Sequence, residues 1–235
     1  MLKISNVNIY GLGESIVASG YPKRLEQPSE EVFRHEVNKV ESVVEDIKMY
    51  KFVNAEEEIA NPHVKRAIKL ANTPMGSGHY NYLKGISVHY DLTAPEYFWR
   101  QFDRYHFHDY TSSQSKMISI LKFDIYKKCN KYVSQNTIDE LQYWIRLYNH
   151  YKKNKVPHIS LRNGKKIEYN KQNIFQIIMS NCPMGFQLTA RITDNYSQLK
   201  SKYHQRANHK LEEWRKYCNW IETLPMAYEL IMSDN

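Results

Sequence analysis

Arg104, Tyr105 and His106 stand side by side, and Ser112, Ser113, Gln114, Ser115 and Lys116 follow shortly after. A guanidinium offers a planar fork of donors that matches a phosphate or a pyrimidine edge. Hydroxyl and backbone N–H groups bind phosphate oxygens, and aromatic rings stack on flat heterocycles. A lone histidine, His79, precedes this cluster behind Ser77 and Gly78, small residues that let backbone approach a ligand. A second cluster, Gln205-Arg206 with Asn208-His209, recurs near the C-terminal end of the sequence. The two clusters read as a pocket for a nucleotide and a cofactor. Each residue also has a plainer reading: a solvated arginine, an exposed loop histidine, or, for Ser112, Ser113 and Ser115, a helix N-cap.

Other chemistries find no support. There is no G-x-S-x-G and no H-E-x-x-H. Cys129, Cys182 and Cys218 are far apart and form no C-x-x-C pair, so they read as buried thiols in a reducing compartment. His106 and His108 flank Phe107 with strand-like alternation, but no third ligand has a suitable spacing, and no metal site is expected. Trp99 and Trp214 read as core residues rather than stacking platforms.

The frame that must position these residues is a globular one. The 235 residues suffice for one domain with a full core or two small ones, and 42% hydrophobic with 25% charged residues is ordinary for a soluble protein. No apolar run reaches about 18 residues, so no membrane span is expected. The opening Met1-Leu2-Lys3-Ile4-Ser5-Asn6 lacks the apolar core of a signal peptide, and a cytoplasmic location is the default expectation. The net charge of +8 favours anionic partners: nucleotides, phosphorylated or polyglutamylated cofactors, or nucleic acid. The charge is dispersed with no Lys/Arg block, which argues against a dedicated nucleic-acid arm.

Hydrophobic periodicity then assigns the elements. Leu2 to Tyr10 alternates and reads as an opening strand; after Gly11-Leu12-Gly13, Glu14 to Ser19 forms a short helix. Those glycines lack the rest of a dinucleotide fingerprint. Ser29 to Lys51 is helical, with Ser29 as N-cap and acidic Glu30 and Glu31 in the first turn. Ala55 to Ala71 is a second helix, interrupted near Asn61-Pro62. The stretch 72–79 is a loop, Leu83 to Asp91 a core strand, and Glu96 to about Tyr105 a helix. Thr137 to Lys153 is helical, Asn163-Gly164 turns a hairpin, Lys171 to Ser180 is a helix, and Phe186 to Ile192 is a strand. Tyr196, Leu199, Tyr203, Ala207, Leu211, Trp214, Cys218 and Ile221 keep a 3.6-residue period, which predicts one long helix over 196–224 that crosses a subunit interface as well as the core.

His79, Arg104 and Arg206 carry a resemblance to the flavin-dependent thymidylate synthases of the ThyX type. Gln101-Phe102-Asp103-Arg104-Tyr105-His106 resembles the family's glutamine and R-H-R, and Ser112 to Met117 its loop to S-x-R-Y. Asn195 followed by Arg206-Ala207-Asn208-His209 is similar to its Asn…Leu-Arg-x-x-x-His helix. The likeness covers roughly 72–117 and 183–224; the stretch 121–171 is not diagnostic. The sequence departs from the pattern at Tyr105, His106 and Lys116, where the family has His, Arg and Arg, and near Met179, where it has another Arg. Lysine cannot make the bidentate phosphate fork of arginine.

The resemblance implies a single α/β (α+β) ThyX-like domain over 1–235, with a central mixed sheet flanked by long helices, assembled as a homotetramer. It implies FAD as cofactor, NADPH and methylenetetrahydrofolate as co-substrates, and one-carbon transfer to the 5-position of dUMP. The absence of the Pro-Cys-His of classical thymidylate synthases fits a flavin mechanism. By resemblance Arg104 and Arg206 serve catalysis. Gln101, Arg104, Ser112, Ser113, Gln114, Ser115, Lys116 and Arg206 bind substrate, and His79, Arg104, Tyr105, His106, Asn195 and His209 bind the cofactor. Two alternatives stay open: a ThyX-like enzyme for another pyrimidine nucleotide, including a hydroxymethylating one, and a non-catalytic nucleotide- or nucleic-acid-binding protein with the same fold.

Overall fold

The computed structural model describes residues 2–49, 61–74, 76–152, 158–160 and 164–233. The strands are β1 (Lys3–Tyr10), β2 (Ser87–Pro95), β3 (Asp109–Ser113), β4 (His158–Ser160), β5 (Lys166–Glu168) and β6 (Gln187–Asn195). The helices are α1 (Leu12–Ala18), α2 (Glu30–Met49), α3 (Pro62–Ala71), α4 (Glu96–Phe102), α5 (Lys116–Ser119), α6 (Ile125–Lys128), α7 (Gln135–Asn149), α8 (Lys171–Ser180), α9 (Tyr196–Arg206) and α10 (Glu212–Ile221). One sheet has the strand order β1-β2-β6-β3, and β4 pairs with β5 antiparallel. This is the α/β class expected from the sequence.

The chain divides into two compact units, one of residues 93–104 and 112–190, the other of residues 2–92, 105–111 and 191–235. The first has a core of Ile120, Ile125, Leu141, Ile145, Ile174, Ile178 and Phe186, drawn from the end of α5, from α6, α7 and α8, and from the entry to β6. α7 begins where the Ser134 side chain accepts from Thr137 N–H, and α8 where Asn170 accepts from Asn173 N–H. His158 pairs with Glu168 and Ser160 with Lys166, the hairpin read from the sequence; Asn163 of its turn lies outside the described residues.

In the second unit, Val88, Tyr90 and Leu92 alternate inward on β2, and Ile192 and Asp194 on β6. Ile16, Val17, Val64, Tyr196, Leu199, Trp214, Tyr217 and Ile221 of the same unit are likewise fully buried. α1 enters through Gly11 at φ 73, where an added Cβ would lie 2.6 Å from the Gly85 carbonyl oxygen; only glycine meets both demands. The Ser29 hydroxyl caps α2 by accepting from Val32 N–H. Asn61 caps α3, accepting from His63 and Val64 N–H, with Pro62 in the first turn, so the expected interruption is a helix start. The expected helical residues 55–60, and residues 51 and 153 at two expected helix ends, lie outside the described set.

Three expectations are corrected. The core strand expected over 83–91 begins at Ser87, because Asn81–Gly85 close a 3-10 turn that buries Leu83 without extending the chain. The helix from Glu96 stops at Phe102 rather than Tyr105. The long helix expected over 196–224 is two helices. Residues 207–211 break it: His209 N–H turns back to the Arg206 carbonyl, and Leu211 N–H bonds the His209 ring. Arg215 then donates to the carbonyls of His209 and Lys210 at 2.6 and 2.9 Å, replacing helix partners they lack. The apolar period persists because each helix keeps its own buried stripe, Tyr196 and Leu199, then Trp214, Cys218 and Ile221.

Candidate functional site

β6 delivers Asp194 inward and ends at Asn195, which caps α9. The Asn195 side chain accepts from Gln198 N–H at 3.0 Å, and the Gln198 side chain returns a bond to Asn195 N–H at 2.9 Å. This box fixes the phase of α9. Ser197 with Ser201 and Gln198 with Lys202 then share a face at i,i+4 spacing. That face, with Asn195, Lys84 and the stretch Tyr105-His106-Phe107, lines a cavity of about 480 Å³.

Phe107 is the strained member. It holds φ at 80, and its side chain is 88% exposed. A bulky residue there costs roughly 1–2 kcal/mol. Gln198 Nε2 donates to the Phe107 carbonyl and ties the strained turn to α9. Strain and an exposed aromatic ring beside a cavity are features that packing alone does not require.

Tyr105 anchors the other side. Its hydroxyl accepts from Arg206 Nε at 2.7 Å and donates to Gln205 Oε1 at 3.1 Å. The Arg206 guanidinium lies 5.5 Å from the Tyr105 ring centre and 4.9 Å from that of Trp214, a cation in contact with a pair of rings that themselves lie 5.7 Å apart. Its Nε is thus committed, while neither Nη group has a hydrogen-bond partner among the described residues. Arg206 is half-buried rather than a simple edge residue, and Trp214 beneath it is fully buried.

Below the cavity lies a polar network the sequence reading missed. Lys202 Nζ donates to both Asp194 oxygens at 2.7 Å, with both side chains at most 1% exposed. Tyr90 donates to Asp194 Oδ2 at 2.7 Å, and the Tyr90 and Tyr217 hydroxyls are 2.6 Å apart. Burial first, and then the Asp194 charge, hold both phenols well above the ordinary tyrosine range, so they remain donors. Burial pushes the Lys202 ammonium below its usual value, and Asp194 opposes that shift. The available signal was Lys202 eight residues after an inward-facing Asp194; it was masked because helical lysines usually face water.

The remaining residues fall as follows. His79 is exposed in a turn with Gly76 and Gly78 both at positive φ, and its N–H meets the Ser77 hydroxyl. The His106 ring is exposed, edge-on to Phe107. His209 Nδ1 accepts from Leu211 N–H, and burial, with Arg206, Arg215 and Lys210 nearby, holds its pKa low. In the first unit Arg104 is exposed, Ser112 and Ser113 lie on β3, and Gln101 sits on α4. Gln114 Oε1 accepts from Lys128 and from Thr189 N–H. Ser115 is an N-cap, accepting from Ile118 N–H. Lys116 donates to Glu96 at 2.6 Å. The structure therefore gathers Tyr105, His106 and Asn195 at one cavity, with Arg206 bonded to Tyr105. Burial pushes Cys129 up to about 11 and Cys182 and Cys218 up to about 12, so none is a thiolate at neutral pH.

No protein-family profile matches this sequence, and no curated protein does. Solved structures do. The flavin-dependent thymidylate synthase ThyX from Helicobacter pylori, complexed with FAD and dUMP, superposes with a TM-score of 0.52 at 10% identity, over 80% of this chain and 91% of that one. A second structure of the same enzyme with FAD and dUMP gives 0.52 at 11%, over 80% and 90%. The UMP/dUMP methylase PolB from Streptomyces cacaoi, bound with 5-Br dUMP, gives 0.55 at 11%, over 99% and 95%. This chain has the ThyX fold. At these identities the likeness establishes ThyX architecture.

Proposed function

We propose that this protein binds FAD and a pyrimidine nucleotide and transfers a one-carbon unit to the pyrimidine 5-position, with dUMP as substrate. The observation that carries the reading is the cavity of the second unit, in a chain with the fold of a flavin enzyme crystallised with FAD and dUMP. Its residues fit a flavin nucleotide. The Tyr105 and Phe107 rings suit a flat heterocycle, Ser197 and Ser201 carry hydroxyls, and Lys84 and Lys202 oppose negative charge.

FAD would supply the redox chemistry, with NADPH as reductant and methylenetetrahydrofolate as one-carbon donor. The protein's share is positioning and electrostatics. Arg206, fixed by Tyr105 and Trp214, presents its Nη groups to a phosphate or a pyrimidine edge, and Arg104 is the second cationic candidate. His79, Tyr105, His106, Asn195 and His209 are assigned to the cofactor, and Gln101 with Ser112, Ser113, Gln114, Ser115 and Lys116 to the substrate. The Asn195 and Ser115 side chains also cap helices, and Lys116 also pairs with Glu96. A single ThyX-like domain over 1–235, a homotetramer and a cytoplasmic setting complete the reading.

The likeness to a UMP/dUMP methylase over 99% of the chain favours one second reading, a different pyrimidine nucleotide as substrate. Incubation with FAD, NADPH, methylenetetrahydrofolate and either dUMP or UMP, followed by mass analysis of the nucleotide, tests both. A gain of one carbon on dUMP supports the first reading and a gain on UMP alone the second. An unmodified nucleotide with flavin retained leaves a binding protein.

A further inference from the structure

Lys202 has surroundings that a core residue does not need. Its side chain is 1% exposed, yet it lines the cavity. Its partner Asp194 is buried behind it and is not part of the lining. The positive member of a buried ion pair is therefore the one at the cavity lining, and the negative member is not, held by the Tyr90 and Tyr217 hydroxyls. The Tyr105 ring lies 5.7 Å from the ammonium. An apolar side chain would fill this space without removing two charges from water, and such replacements are often neutral or stabilising.

We propose that Lys202 is a specificity-determining residue that makes the cavity select a ligand carrying an anionic group over the same ligand without it. The proposal rests on the flavin reading and deepens it. The anionic group is either the ring of reduced flavin, formed when the oxidised ring takes up two electrons and one proton, or a phosphate of the nucleotide.

For an anion about 4 Å from Nζ and one ion-pair length further from Asp194, the two charges partly cancel. At an effective dielectric near 20 the remainder is a roughly tenfold preference. Buried charges are screened little by salt, so the preference persists at high ionic strength. Lys84 lies at the same cavity but is exposed, and its contribution fades with salt. Asp194 and the Tyr105 ring face Lys202, the Tyr90 and Tyr217 hydroxyls bond Asp194, and His106 stands at the cavity lining.

The test uses the FAD-loaded protein and the electroneutral variant Lys202→Met/Asp194→Asn. Lys202→Gln/Asp194→Asn, which also strands no charge, serves as a second variant should the first not fold, and Lys84→Met as the exposed comparison. The dissociation constant of oxidised FAD and the two-electron midpoint potential, titrated with dithionite, are measured at low and high salt. If the anion is the ring, the potential falls by about 30 mV, the equivalent of tenfold for two electrons, while the affinity for oxidised FAD barely moves. If it is a phosphate, the affinity for oxidised FAD falls roughly tenfold and the potential holds. Either effect survives salt, whereas the Lys84→Met effect shrinks. Unchanged affinity and potential, or an effect abolished by salt, overturns the proposal alone. A wild-type protein that retains no FAD overturns the flavin reading itself, and the proposal with it.

Discussion

The buried Lys202–Asp194 pair makes the sharpest stability prediction. Asp194 Oδ1 accepts one bond from Lys202, and Oδ2 accepts bonds from Lys202 and Tyr90, all at 2.7 Å with no water-exposed edge. Asp194→Asn leaves the ammonium buried opposite a neutral amide whose donors face other donors. Lys202→Met leaves the carboxylate with only phenolic partners. Removing one member of a buried pair costs about 3–5 kcal/mol, because the other charge is stranded. In a chain of this size each kcal/mol lowers Tm by about 2–4 °C, so each single variant should lose roughly 10 °C. The double variant strands no charge and should cost far less than the sum, with a coupling of about 3 kcal/mol in the double-mutant cycle. Urea unfolding followed by circular dichroism measures all four corners, provided the slope with denaturant is shared. Single variants that cost under about 1 kcal/mol, or costs that simply add, would refute the reasoning.

Other predictions separate binding from folding. Phe107→Gly relaxes a residue held at φ 80 and removes an exposed ring, so Tm should hold or rise slightly while flavin affinity falls; a matching loss of both would make Phe107 structural. Arg206→Ala should abolish dUMP binding at a stability cost of about 1–2 kcal/mol, the scale of its contacts with Tyr105 and Trp214. A loss beyond about 4 kcal/mol would mark Arg206 as part of the core. His63 is held below its ordinary pKa by burial first, then by Arg66 and Arg24, with Glu36 opposing. The unfolded chain therefore binds the extra proton between the folded value and about 6.5, and stability is lost as pH falls through that window. His63→Gln should flatten the Tm–pH profile there; an unchanged slope would show that His63 does not cause it.

Much of the frame was legible where local chemistry and packing agree. α8 matches its expected bounds because Asn170 caps it and Asn181 and Pro183 follow it. The 196–224 stretch misled because a 3.6-residue period survives a break if both helices bury stripes on one side; the cue was polar, Asn208-His209-Lys210, inside an apolar rhythm. The strand expected at 83–91 slipped because Leu83 is as buried in a 3-10 turn as it would be on a strand. Around the candidate cavity, Tyr105, His106 and Arg206 stood out by residue type, and Asn195 by the resemblance alone. Phe107 needed its backbone angle and Lys202 its burial, and neither is written in composition or spacing. Ser115 and Lys116 carried the right types for a phosphate loop but are engaged by a helix cap and by Glu96.

The central claim is that flavin and pyrimidine nucleotide meet in one site. The most direct measurement is the visible absorption spectrum of the protein loaded with FAD and desalted, taken with and without dUMP. Retained flavin bands that shift when dUMP is added are the predicted result. Loss of the flavin on desalting would contradict the claim, and retained bands that ignore both dUMP and UMP would separate the fold from the proposed reaction.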